Sequence, residues 1–83
     1  MKTSKTIYGI NYTEYDADLN IVHDYVETGM YSTKKAAERY ISNVRDIKKG
    51  RYLTLSNGKR IAMCYANGEN RVHLTIKRQI LFL

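Results

Sequence analysis

The sequence predicts an α+β fold of order ββαβββ, a single helix at about residues 33–49 packed on an antiparallel sheet. Three observations lead there. Lys5–Tyr15 alternates with a period of two. Ala36, Ala37, Tyr40, Ile41, Val44 and Ile47 recur at the helical period and form one apolar stripe. Two Asn-Gly pairs, Asn57-Gly58 and Asn67-Gly68, divide the last third into short strands. The 83 residues contain no proline and no Ser/Gly linker, so one domain over 1–83 is expected, with a flexible start at 1–4.

The first strand puts Tyr8, Ile10 and Tyr12 on one face and Gly9, Asn11 and Thr13 on the other. Asp16-Ala17-Asp18 has turn chemistry, and Ile21–Thr28 returns as the second strand of a hairpin. Ser32 is the expected N-cap of the helix. Lys48 and Lys49 suit the negative end of its dipole, and Gly50 stands where a left-handed residue commonly stops a helix. Arg51–Ser56 then runs into Asn57-Gly58, which suits a type I′ turn with positive φ at both residues, and Lys59–Ala66 returns. In that register Thr54 meets Ile61 and Tyr52 meets Met63. A two- or four-residue turn at Asn67-Gly68 preserves parity. Val72, Leu74 and Ile76 of the last strand, Arg71–Lys77, therefore share a face with Ile61, Met63 and Tyr65. This face is the expected core, covered by the helix stripe.

Composition excludes several classes. No apolar run approaches the roughly 20 residues of a membrane span, and Met1–Tyr8 lacks the apolar stretch of a signal peptide. One cysteine, Cys64, gives no internal disulfide, and with two histidines it offers no recognisable zinc or redox-metal site. No metal and no cofactor are expected. Lys and Arg number 14 against 8 Asp and Glu, a formal charge of +6. The surplus is regional: residues 34–60 hold nine bases against Glu38 and Asp46, whereas residues 1–33 hold Lys2 and Lys5 against five carboxylates. Eight tyrosines beside one Phe and no Trp suit half-buried strand faces and interfaces.

On the expected register the sheet face away from the helix carries Leu53, Leu55, Arg60, Ala62, Cys64, Arg71, His73, Thr75 and Lys77. Arg60, Arg71, His73 and Lys77 would form an anion-binding surface, since guanidinium groups fork onto phosphate oxygens. The alternative is a solvated face that tolerates cations. Leu53 and Leu55 suit neither account, unless the first hairpin covers that end or the face is partly an apolar contact. A rival arrangement pairs Arg60 and Arg71 with the acidic Asp16, Asp18 and Asp24 region. Lys34 and Lys35 at the helix start, with Arg39 on its outer face, are supporting phosphate contacts. Lys48, Lys49 and Arg51 form a dense basic stretch whose neighbour Tyr52 could stack on a base.

Catalytic readings are thinner. His23 and Asp24, adjacent on a strand, point to opposite faces. Cys64 and His73 share a face but have no third orienting group. A ribonuclease using His73 as base, Arg71 or Arg60 on the phosphorane and Tyr65 as helper requires Tyr65 to leave the core face. The apolar tail Ile80–Leu83 either packs on the domain or meets a partner, for instance in a homodimer.

In whole-chain character the sequence resembles small bacteriophage-encoded accessory proteins: short, free of proline and disulfide, rich in Tyr and Asn, with tight hairpins such as Ser56-Asn57-Gly58-Lys59 and Ala66-Asn67-Gly68-Glu69. That resemblance implies counter-defence work in the host cytoplasm, of the anti-CRISPR or phage-antitoxin kind, against a host protein or nucleoprotein. The expected function is a non-enzymatic basic module that binds RNA or DNA and no membrane. The alternatives are a protein-only inhibitor or dimerisation module using tyrosines and the tail, and a small ribonuclease.

Overall fold

The computed structural model describes residues 4–82. Its elements are β1 (Ser4–Tyr15), β2 (Ile21–Tyr31), α1 (Lys34–Lys48), β3 (Arg51–Thr54), β4 (Arg60–Asn67) and β5 (Asn70–Phe82). Of the expected flexible start, 1–3 lie outside the described residues, and Ser4 already opens β1. The chain is an α+β fold with one helix and one antiparallel sheet of order β2-β1-β5-β4-β3. β1 and β5 pair at its centre from Ser4–Phe82 to Tyr15–Arg71. The first hairpin thus widens the sheet beside β5 rather than lying over a face.

The alternation in β1 sets the core. Tyr8, Ile10 and Tyr12 face the helix, and their partners on β5 include Leu74 and Ile76. Ile10, Met63, Val72 and Leu74 pack with Ala37 and Ile41 of α1, ringed by half-buried tyrosines. Ile7, on the other face, is buried but stands outside this cluster. Of the expected helix stripe, Ile47 does not join the core and is 77 % exposed.

The helix is capped one residue later than expected. Thr33, not Ser32, is the N-cap: its extended backbone lets Oγ1 accept from the Ala36 N–H at 3.1 Å. At the other end Lys49, with φ 55°, takes the left-handed position assigned to Gly50. Gly50 serves a different need. A Cβ there would lie 2.6 Å from Met63 Sδ and 2.7 Å from the Cys64 carbonyl oxygen, so only glycine lets the chain pass this close to β4.

The loop after β3 corrects the register. β3 ends at Thr54, not Ser56. Only Gly58 has positive φ; Asn57 instead accepts the Lys59 N–H on its side-chain oxygen at 2.9 Å. The Gly58 N–H donates to the Leu55 carbonyl and the Leu55 N–H to the Lys59 carbonyl, which closes a three-residue loop in place of the type I′ turn. Thr54 then pairs with Arg60, and Ile61 is skipped before Leu53 meets Ala62. This bulge restores the expected Tyr52–Met63 pair but leaves Ile61 48 % exposed and turns Arg60 to the helix face. The second hairpin follows expectation, with Asn67 and Asn70 paired across two residues and Gly68 at φ 63°.

Both long strands outrun their expected ends, β2 to Tyr31 and β5 to Phe82. Ile80, Leu81 and Phe82 pair with Thr6, Lys5 and Ser4 but stay exposed, so the tail extends the sheet instead of packing on the core. Leu83 lies outside the described residues.

One buried carboxylate ties the two hairpins together. Glu14, 6 % exposed, accepts from the Tyr12 hydroxyl at 2.6 Å, from Asn70 Nδ2 at 2.7 Å and from Asn67 Nδ2 at 3.4 Å. The Tyr12 hydrogen bond, then that from Asn70, holds its carboxyl below the usual Glu range, despite burial. A carboxylate with a depressed folded pKa stabilises above its unfolded pKa and loses that contribution as pH falls through the folded value. Acid titration of the wild type should therefore lose stability below about pH 4.3, and Glu14→Gln should remove that pH-dependent part. Urea midpoints at several pH values measure both. Gly50→Ala should cost about 1–3 kcal/mol through overpacking against Met63 and Cys64, read as a lowered urea midpoint at neutral pH.

Candidate functional site

Past the Ile61 bulge the β4–β5 ladder has ended, at Met63–Leu74. The gap between the β3–β4 hairpin, β5 and the first half of α1 is an open groove of about 710 Å³. Its rim carries Lys34, Lys35 and Arg39 from the helix and Lys59 and Arg60 from the hairpin; its floor includes Tyr52, Met63 and Leu74. Glu38 is the single carboxylate of the lining. It lies 4.0 Å from Lys34 with both side chains more than half exposed, a pair of little energetic weight. Among the described residues, no carboxylate pairs with Lys35, Arg39, Lys59 or Arg60.

Local causes place each cation. The first helical turn contains no acidic residue, so Lys34 and Lys35 stand beside unpaired amides at the positive end of the dipole. The bulge delivers Arg60, whose guanidinium carbon sits 4.1 Å from the Tyr52 ring centroid. Arg45 approaches the same ring at 5.6 Å and donates from Nη2 to Asp46 Oδ1 at 2.8 Å. Tyr52 is thus a prop for arginines rather than the free stacking platform expected of it. Each such contact is worth about 0.5–1 kcal/mol at an exposed site.

The remaining expected site residues lie elsewhere. Arg71, His73 and Lys77 alternate along β5 on the uncovered face, so Arg60 is not their neighbour. Lys77 is six positions beyond Arg71, roughly 20 Å of strand, and His73 between them meets the Tyr15 ring edge-on at 5.0 Å. The basic stretch also divides. Lys48 reaches the Tyr65 ring at 5.9 Å, Lys49 is the helix C-cap, and Arg51 faces outward opposite Cys64. The rival neutralisation of Arg60 and Arg71 by Asp16, Asp18 and Asp24 does not form. The two ion pairs among the described residues involve none of these five, and Asp24 accepts from Thr13 and Asn11 instead.

Cys64 and His73 are direct cross-strand partners, as the shared face required. Burial pushes the Cys64 thiol up, and Arg51 and Arg71 offset this only in part. Such a sulfur is protonated at neutral pH and a poor nucleophile. The ribonuclease trio is divided, with Tyr65 packed against the core on the helix face and His73 on the other.

No protein-family model matches the chain, and no curated protein or solved structure is detectably similar to it. Native Cys64 should react with iodoacetamide more slowly than the urea-unfolded chain at pH 8. The gap should narrow as pH rises above about 8.5, the ordinary thiol value; rates followed by mass spectrometry measure it.

Proposed function

We propose that the protein is a non-enzymatic module that binds a strand of RNA or DNA along the groove beside α1. Lys34, Lys35, Arg39, Lys59 and Arg60 take phosphate oxygens, assisted by the free amides of the first helical turn. Arg60, held against Tyr52, offers its outer guanidinium plane to a base, a mode of stacking that tolerates any sequence. The observation that carries this reading is five cations around one cavity with a single, weakly paired carboxylate. Such crowding is repulsive in the free protein, and a polyanion relieves it. Action in the host cytoplasm, on a nucleoprotein or an RNA-linked defence or toxin system, is the setting implied by the phage resemblance.

A second reading, a protein-only inhibitor or dimer, rests on the other half of β5. Beyond Leu74 this strand has only β1 as ladder partner among the described residues, and its tail exposes Ile80, Leu81 and Phe82. Salt separates the two readings. Five phosphate contacts to a single strand give a slope of about −3.5 in log K against log salt, so affinity should fall roughly 100-fold between 50 and 200 mM. An apolar strand-edge contact would barely respond. In anisotropy titrations with labelled single-stranded RNA and DNA, Arg39→Glu with Arg60→Glu should weaken binding at least tenfold and flatten that slope. Arg71→Glu with Lys77→Glu should change it less than about threefold. Equal losses from both double variants would move the site to the whole surface, and salt-independent binding would end the nucleic-acid reading.

A further inference from the structure

Two tyrosine rings in this molecule are matched with the chain's own cations. Tyr52 lies beneath Arg60 and Arg45, and Tyr65 has the Lys48 ammonium. On the other flank of α1 the pattern changes. Tyr25, Tyr31 and Tyr40 line an open cavity of about 350 Å³ together with Glu27. Among the described residues no lysine or arginine stands over any of these three rings.

The cavity follows from the strand register. Between the pairs Gly9–Met30 and Asn11–Val26, β1 has one residue and β2 has three. The surplus lifts Glu27–Gly29 out of the ladder and spreads Tyr25 from Tyr31. Both stay on the helix face, opposite Tyr12 and Tyr8. Tyr25 is fixed from behind by stacking on Tyr12, with centroids 4.8 Å apart. From α1, Tyr40 brings its ring to 5.8 Å from Tyr31 and donates its hydroxyl to Glu27 Oε2 at 2.7 Å. Glu27 is half-buried. Among the described residues its Oε1 accepts no hydrogen bond, and no cation lies within ion-pairing distance.

Glu27 is thus a half-buried carboxylate with no ion-pair partner among the described residues, on a chain of charge +6. Beside it are three π-systems whose faces are negative in potential. This combination favours a cation that sheds water easily and fills an aromatic recess, as methylated ammonium groups do and a compact, strongly hydrated ammonium does not. We infer that the Tyr25–Tyr31–Tyr40 cavity binds a methylated ammonium group, with Glu27 as its counter-ion. The site is independent of the phosphate groove, which draws on the opposite flank of the helix and on ligands of opposite charge.

The test uses tetramethylammonium chloride as probe and the uncharged alcohol 2-methylpropan-2-ol, of equal heavy-atom count and similar shape, as control, read by the ring resonances of the tyrosines. Saturable shifts at Tyr25, Tyr31 and Tyr40 are expected with the cation and not with the alcohol. Glu27→Gln keeps an acceptor for the Tyr40 hydroxyl and should weaken binding roughly five- to tenfold; Tyr31→Leu should do the same. A trimethyllysine peptide and phosphatidylcholine vesicles, each against its unmethylated counterpart, then distinguish a modified protein from a lipid headgroup as the source. Equal affinity for cation and alcohol, or a Glu27→Gln protein that binds as well as wild type, would overturn the assignment.

Discussion

Everything in this molecule is arranged around one helix having to cover one face of a five-stranded sheet. Fifteen helical residues span about 22 Å, less than half of the molecule's 50 Å long axis. The buried apolar cluster under the helix is therefore a small patch where Ile10, Met63, Val72 and Leu74 meet Ala37 and Ile41. Ala37, with no exposed area, sets how near the helix can come, and Gly50 lets the chain leave the helix directly over Met63. Around that patch the interface must grade into solvent, and tyrosine meets the need with a dry ring and a wet hydroxyl. The aromatic composition is thus a consequence of a core that is mostly margin.

Irregularities in the ladders then decide what each margin does. A strand's side chains alternate strictly, so one surplus residue reverses every face assignment on one side of it. At Ile61 that reversal moves Arg60 from the uncovered face to the groove, where it joins Lys34, Lys35 and Arg39 of the helix. At Glu27–Gly29 the larger surplus opens a recess without disturbing which face Tyr25 and Tyr31 occupy. The helix consequently has a positive flank toward β3 and β4 and an aromatic, acidic flank toward β2. The uneven charge along the sequence reappears as unevenness across the helix.

The α+β class, the single helix, the two Asn-Gly hairpins and the inward set of Met63, Val72 and Leu74 were legible because each rests on local periodicity or turn chemistry. Lys34, Lys35 and Arg39 were also legible, as first-turn and outer-face residues. Arg60 was assigned to the wrong face because Asn57 has two ways to satisfy a turn. Its side chain caps the Lys59 N–H here, which lengthens the loop and creates the bulge. Nothing local in the sequence chooses between those conformations. The Glu14 cluster was missed for another reason: Tyr12 and Glu14 share a strand face two residues apart, but Asn67 and Asn70 arrive from the far hairpin. A lone carboxylate at an inward position of β1 was the available signal. Ser32 against Thr33, and Gly50 against Lys49, are cap choices between adjacent competent residues, where packing rather than propensity decides.

The pairing of β1 with β5 has a consequence for biogenesis. At Glu14–Asn70 the two strands are 56 residues apart in the chain, and the separation grows toward their other ends. The central ladder therefore has no partner strand until β5 has left the ribosome, and high contact order makes its closure slow. Until then β1 and β2 are a lone hairpin with a bare inner edge, the kind of nascent segment that chaperones retain and that misassembles when they do not.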